Sequence, residues 1–423
     1  MKSATKGYGQ HADNLLNAIE ATEQDLFESA KGPNASQIEF LNIEGGKIPK
    51  YVREFWTSKQ RQASSIHEIS YRACFKPQLP RFFIRALSGE SDIVYDPFGG
   101  RGTTAIEAGL LNRNVISNDI NPLSRILTEP RFSIPKLEDV QDRLTKIPKE
   151  NRARADINLS MFYHRETESE LVSLRDYLKN RHQRKTEDII DRWIRMVATN
   201  RLTGHSPGFF SVYTLPPNQA VTQESQIKIN AQRKQTPEYR NTRELIIRKT
   251  KSLISDITQR QIEILQSVGT RAVFLSKDAR STPEIKSESI QLTVTSPPFL
   301  SVVQYSKDNW LRCWFNSIED RKISKKITMS KTIEEWSSVM GSVFKELFRM
   351  TRKGGWVAFE VGEIDKGKLK LDEYIVPLGT AAGFHCIAII INLQQFTKTS
   401  NIWGVSNNNS GTNTNRIVLF MKQ

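Results

Sequence analysis

The chain has 423 residues, with 61 Lys and Arg against 46 Asp and Glu, a formal net charge of +15 and a pI near 9.6. That length carries one large domain with room for an insertion, and the cation excess points to a polyanionic partner such as nucleic-acid phosphates. Three isolated cysteines exclude a disulfide framework, and with no long apolar run and no cleavable leader a cytoplasmic protein without a membrane partner is expected.

Residues 1–60 read as a helical extension, since Leu15, Leu16, Ile19, Leu26 and Phe27 fall on one helix face before breaks at Gly32-Pro33-Asn34 and Gly45-Gly46. Docking of this extension on the main domain is expected. Further on, Ile93-Val94-Tyr95 ends in Asp96 and runs into Pro97-Phe98-Gly99-Gly100-Arg101-Gly102-Thr103-Thr104, the pattern of a strand, a glycine turn and a helix beginning near Thr103. Glycines without Cβ atoms let a ligand lie against the backbone, and the missing Walker lysine excludes a phosphate loop of that kind. About twenty residues later Val115-Ile116-Ser117-Asn118 delivers Asp119, the spacing at which a second strand end offers a carboxylate to ribose hydroxyls. An aspartate opening the turn before Asn121-Pro122 is the competing reading.

A doubly wound domain needs one helix between such strands, so most of residues 131–270 reads as an insertion, largely helical and basic. It holds 25 Lys and Arg against 17 Asp and Glu, a surplus of 8 within the whole-chain surplus of 15. Arg233, Lys234, Arg240, Arg243, Arg248, Lys249 and Lys251 form a dense run suited to tracking phosphates. Arg248, Lys249 and Lys251 also fit the solvated face of a helix bearing Leu245, Ile246, Leu253 and Ile254. Arg201, Asn218 and Gln219 carry groups that base edges reward, around a segment whose Phe209, Phe210 and Tyr213 suit packing equally well.

Lys277-Asp278 looks like another strand end. The apolar run from Ile290 to Thr295 then meets Ser296-Pro297-Pro298-Phe299. Two prolines cannot continue a ladder, so the chain leaves the sheet along a rigid path. A hydroxyl and a carbonyl held there accept the two hydrogens of an exocyclic amine, and the phenyl ring offers a stacking surface to a flipped base. A turn closing an ordinary strand is the competing reading of this tetrapeptide alone. A helix over 336–350 closed by Gly354-Gly355, a strand over 356–361, and an antiparallel pair over 384–391 and 416–420 complete the sheet. Lys398 and Trp403, between that pair, read either as groups near the target base or its phosphate or as part of a surface hairpin.

In this order the motifs resemble the amino-group DNA methyltransferases that use S-adenosylmethionine, and within them the branch that methylates cytosine N4. The resemblance covers most of residues 60–130 and 270–423. It implies an α/β fold: a Rossmann-like methyltransferase sheet with helices on both faces, formed by 61–130 and 271–423 around an inserted target-recognition region at 131–270. It implies a cofactor site of Phe75, Lys76, Pro77, Asp96, Pro97, Phe98, Gly99, Gly100, Gly102, Thr103, Thr104, Asp119 and Asp278, although Lys277 stands where the family usually has glycine. Ser296, Pro297, Pro298 and Phe299 would be the catalytic motif, its serine favouring cytosine over adenine. Cys74, Cys313 and Cys386 lack the Pro-Cys context of enzymes that methylate ring carbon. The expected partner is double-stranded DNA, met by Arg201, Asn218, Gln219, Arg233, Lys234, Arg240 and Lys398, with a cognate restriction endonuclease in a restriction-modification setting. Adenine N6 methylation, RNA methylation and an inactive DNA-binding homologue stay open as alternatives.

Overall fold

The computed structural model describes residues 37–43, 46–53, 63–71, 74–150, 152–215, 220–298, 308–319, 330, 332–364, 369–393 and 414–423. In chain order come β1 (Gln37–Ile43), β2 (Gly46–Arg53), a 3-10 turn (Ser65–His67), α1 (Gln78–Leu87), β3 (Ile93–Asp96), α2 (Thr103–Leu110), β4 (Asn114–Asn118) and α3 (Leu123–Thr128). The middle of the chain supplies α4 (Leu137–Lys146), α5 (Arg165–Gln183), α6 (Ile189–Arg201), α7 (Gln223–Arg233), α8 (Thr242–Leu253) and α9 (Gln259–Gly269). Then follow β5 (Val273–Leu275), β6 (Ile290–Thr295), α10 (Trp310–Phe315), α11 (Ile333–Met350), β7 (Thr351–Val361), the two-residue strands β8 (Glu363–Ile364) and β9 (Leu369–Lys370), α12 (Leu371–Ala381), β10 (His385–Leu393) and β11 (Thr414–Met421).

β6 is buried along its whole length, so neither face can be left to water and the strand must lie between two layers. Alternation along the strands supplies both. Val94, Leu292, Val294, Ala358 and Leu419 point to one core, and Tyr95, Val357, Phe359, Val418 and Phe420 to the other. The sheet runs β1-β2-β10-β11-β7-β6-β3-β4-β5, parallel from β7 to β5, with β11 antiparallel to both β7 and β10. This is the Rossmann-like arrangement expected, helices on both faces included. The second core is an aromatic stack of Phe344 on Phe359 at 4.8 Å, with Phe384 and Phe420 edge-on to Phe344, under α11 and α12.

Two expectations need correction. The part of 1–60 that is described is a β-hairpin rather than a helix: β1 pairs with β2, and β2 runs parallel beside β10, carrying the sheet past the pair expected to finish it. Its reason is the alternation in Gln37-Ile38-Glu39-Phe40-Leu41, with Ile43 paired to Gly46 and Ile48 buried against the second core. The apolar positions from Leu15 to Phe27 lie outside the described residues. Gly354 and Gly355 do not close α11, which ends at Met350; they sit inside β7, where Gly354 takes φ +70° and both exchange backbone hydrogen bonds with Lys422. The inserted helices share the core of the sheet: Trp193, Val197, Leu171 and Ile246 join the same cluster as Val94 and Leu292, so α4, α5, α6 and α8 form a thick layer on one face of the sheet. The helix α9 packs on α2, with Leu265 and Phe132 filling the space above Gly109, and serves as the crossover into β5.

Candidate active site

Parallel pairing sets Val94 opposite Leu292 and Tyr95 opposite Thr293, so β3 and β6 end at the same edge of the sheet. Two side-chain bonds lock these ends. Thr295 Oγ1 donates to Asp96 Oδ1 at 2.6 Å across 199 residues of sequence, and Thr104 Oγ1 donates to the Val294 carbonyl at 3.1 Å. The glycine turn and the Ser-Pro-Pro segment therefore share one cavity. It is lined by Pro97, Phe98, Gly100, Asp119, Ser296 and Pro298 among others, at the carboxyl ends of the strands where doubly wound sheets bind ligands.

The glycine turn divides by role. Gly100, at φ +52°, has only the Tyr71 ring and the Phe98 carbonyl near its missing Cβ, none closer than 3.7 Å, and its face opens to the cavity. Gly99 and Gly102 do not keep space for a ligand, contrary to the sequence reading. A Cβ on Gly99 would lie 2.5 Å from Ser117 Oγ, and one on Gly102, at φ +79°, within 2.8 Å of three Thr128 atoms. They let β4 and the end of α3 close on the turn. Asp96, Thr103 and Thr104 are likewise buried and absent from the cavity wall. Asp96 accepts from Phe98 N and Thr295, and burial lifts its carboxyl to about 6; it braces the turn instead of meeting a ligand. Phe75, Lys76 and Pro77 stand before α1 and do not line the cavity; Tyr71 does.

Asp119 follows β4 on the cavity wall and also opens the turn before Asn121. Its carboxylate accepts from Gly100 N at 2.9 Å and Asn121 N at 2.8 Å, and burial raises its pKa to about 6. Asn118 clamps the next strand end, donating to the Lys277 carbonyl at 3.0 Å and accepting from Lys277 N at 2.9 Å, which brings Asp278 to the same wall. The Asp278 carboxylate is held by Arg280 at 2.6 Å, and this contact keeps it below the usual carboxylate range.

Ser296 and Pro298 line the cavity, Pro297 is buried beside it, and Phe299 lies outside the described residues. The Pro298 carbonyl accepts from Trp336 Nε1 at 3.0 Å, so α11 fixes the path of the proline segment. Trp336, Val339, Met340 and Val343 then form the apolar wall. Their helical spacing was legible as a buried face but not as a cavity. Glu360 was missed altogether. It is buried in β7, hydrogen-bonded to Ser296 and to Asn415 Nδ2 at 2.6 Å, and burial raises its carboxyl to about 7. A lone carboxylate within Trp356-Val357-Ala358-Phe359-Glu360-Val361 was the available signal, because unpaired buried acids are rare.

The inserted cations are mostly engaged within the protein. Arg240 was expected on DNA, yet its guanidinium donates to the carbonyls of Ser206, Phe209 and Ser211 and holds their loop in shape. Arg233 lies 3.8 Å over the Tyr213 ring, and Lys234 is an exposed helix cap at φ +50°. Arg201 packs 4.0 Å over Phe209 at the end of α6. Asn218, Gln219, Lys398 and Trp403 lie outside the described residues.

Residues 20–125 match the family model described as DNA methylase. The chain is 23% identical over 332 residues to the Type II methyltransferase M.BsoBI of Geobacillus stearothermophilus, covering 72% of this chain and 65% of that protein. It is 29% identical over 153 residues to the Type II methyltransferase M.PvuII of Proteus hauseri, covering 33% of this chain and 45% of the relative. The matches thus span less than two thirds of the length of these relatives. The rRNA methyltransferase aviRa from Streptomyces viridochromogenes aligns over 87% of this chain and 94% of its own at 10% identity, with a TM-score of 0.35, too low to bear on function. The family match and the Type II relatives thus make the chain similar to DNA methyltransferases over part of its length.

Proposed function

We propose that this chain, a relative of the amino-group DNA methyltransferases, transfers a methyl group from S-adenosylmethionine to cytosine N4 at a specific site in double-stranded DNA, and that it does so in a restriction-modification setting. The observation that carries the reading is Ser296, at the end of β6, facing the same cavity as Gly100 and Asp119 while Glu360 backs its hydroxyl. Serine at this position, in place of Asp or Asn, is the feature that favours cytosine over adenine in the resembling family. The names of the Type II relatives support the restriction-modification setting.

The residues present fit the cofactor. Gly100 leaves open space against the backbone, Asp119 is fixed by two backbone amides as an acceptor for hydroxyls, and Pro97, Phe98 and Ile120 supply apolar walls. When bound, S-adenosylmethionine supplies an electrophilic methyl on a sulfonium. The chain's own task is to orient an amine whose lone pair is conjugated with its ring. Ionised Glu360 can only accept, so the Ser296 O–H donates a hydrogen bond to it and the hydroxyl lone pairs stay free to accept an amine N–H. Fixed acceptors of this kind stabilise positive charge developing on nitrogen without reorganising. Tyr71 and Trp336 give the cavity aromatic walls for a flipped base.

The test is mass spectrometry of nucleosides from unmethylated plasmid DNA incubated with protein and S-adenosylmethionine, beside a Ser296→Ala control. N4-methylcytosine from the active protein alone is the expected product. N6-methyladenine would replace the cytosine assignment, and no modified base with cofactor binding intact would end the DNA reading. Plasmid methylated in this way should resist one endonuclease of matching specificity, and sensitivity to every enzyme tested would remove the restriction-modification setting.

A further inference from the structure

Resting on the reading of this chain as an enzyme of duplex DNA, we propose that a second cleft, walled by Arg101, Arg201 and Lys249 and sharing Tyr71 with the Ser296 cavity, binds a backbone phosphate of the nucleotide whose base is extruded. The three cations come from separate elements: the glycine turn, the end of α6 and the middle of α8. Residues 65–71 strap them together. Ser65 N and Oγ donate to Asp256, Arg101 donates to the Ile69 carbonyl at 3.0 Å, and the Ser70 carbonyl accepts from both Asn200 Nδ2 and Arg312. The convergence is therefore built by tertiary contacts and is not a run of exposed side chains.

Charge in the cleft is unbalanced. Among the described residues that wall it the one carboxylate is Glu68, exposed, 3.1 Å from Lys249 Nζ. Arg201 donates to Asn200 Oδ1 at 2.7 Å, its ring contact with Phe209 takes one face, and its buried Nε has no partner among the described residues. Burial, with the Arg312 charge behind it, pulls the Arg201 pKa down to about 10. Arg312 is itself buried and donates to neutral acceptors, the Ser70 carbonyl and Asn309 Oδ1. Partly desolvated cations without matching carboxylates are costly, and an anion in the cleft offsets that cost. A guanidinium fork beside a point-charge ammonium matches a phosphodiester better than a base edge, which would also ask for acceptors. The shared Tyr71 wall sets this anion next to the base cavity, where the phosphate of an extruded nucleotide must lie.

The test measures equilibrium binding of a short duplex across a range of salt for wild type, Lys249→Gln and Glu68→Gln, with S-adenosylmethionine affinity and melting midpoint recorded for each. Lys249→Gln should weaken binding roughly five- to tenfold at low salt and reduce the slope of log K against log salt by about 0.9, the loss of one phosphate contact. Glu68→Gln, on the exposed rim, should tighten binding about two- to fivefold at low salt by removing the competing carboxylate. Unchanged affinity and slope in both variants, with wild type binding normally, would overturn the cleft while leaving the methyltransferase reading intact. A wild type that binds S-adenosylmethionine but no duplex at any salt would instead sink the DNA reading. Calorimetry with inorganic phosphate alone covers the other source of the same anion: tight binding lost in Lys249→Gln with an unaltered DNA slope would mark a free-anion site and overturn the proposal.

Discussion

The edge of the sheet and the inserted layer use their polar residues in opposite ways. At the sheet edge, between Asp96 and Asn121 and again at Lys277 and Ser296, polar groups are held by backbone amides or strand-end partners and several still face the cavity. In the inserted layer, Arg240 and Arg143 turn inward to carbonyls and to the carboxylates of Asp188 and Asp191, while Arg233 stays exposed over the Tyr213 ring. Charge density along a sequence thus says little about charge offered to a ligand. Position relative to a strand end says much more, because parallel strands deliver every loop to one edge.

Substitutions can break or sharpen that contrast. The largest expected effect is at Ser296: Ser296→Ala should cut turnover about 100-fold or more while S-adenosylmethionine affinity stays within about twofold, since a fixed hydrogen-bonding group at the reacting centre is lost. Equal losses in both quantities, by single-turnover rates and calorimetry, would remove Ser296 from the reacting centre. Gly102→Ala should act on folding instead, through about 1–2 kcal/mol of left-handed strain and about 1–3 kcal/mol of overpacking on Thr128. Urea denaturation would show it, and the Thr128→Ala background should recover only the packing part; a normally stable Gly102→Ala protein would restore the sequence reading of that glycine as ligand space.

Glu360 gives an effect with a pH signature. Its folded pKa, about 7, lies above the unfolded value, so the folded state holds the extra proton between about pH 4.5 and 7. Stability tied to this group is whole below that window and is lost as pH rises through it, by an amount on the order of 1–3 kcal/mol that Glu360→Gln should remove. Turnover should move the other way, rising through about pH 7 as the carboxylate ionises, with a flatter profile in Glu360→Gln. Parallel profiles for the two proteins in melting and in turnover would dismiss the role. The smallest functional effect belongs to Arg240→Ala, which should cost about 1–3 kcal/mol of stability by stranding loop carbonyls and leave the salt dependence of DNA binding unchanged. A reduced salt slope in that variant would put Arg240 back on the phosphates.

The turn after β3, the carboxylate after β4 and the proline exit after β6 were legible because each is a local pattern: a short apolar run, then residues that can only leave a strand. The hairpin that extends the sheet was hidden by its length, since the eight residues of β2 do not announce a partner strand in which Ile389 stands opposite Lys50. Glu360 and the Trp336 wall were hidden for another reason. Each is an ordinary member of its own strand or helix, and only packing against Ser296 and Pro298 turns it toward chemistry.

By itself the sequence determined the strands that end in chemistry, β3, β4 and β6, and the order in which they follow, because turn, proline and glycine preferences act over a few residues. Only the tertiary structure decided which glycines face a ligand and which face Thr128, which arginines are consumed by carbonyls, and that Arg101, Arg201 and Lys249 meet beside Tyr71. Those outcomes depend on which surfaces pack together across a hundred residues or more, where burial and shape, rather than local propensity, select the partner.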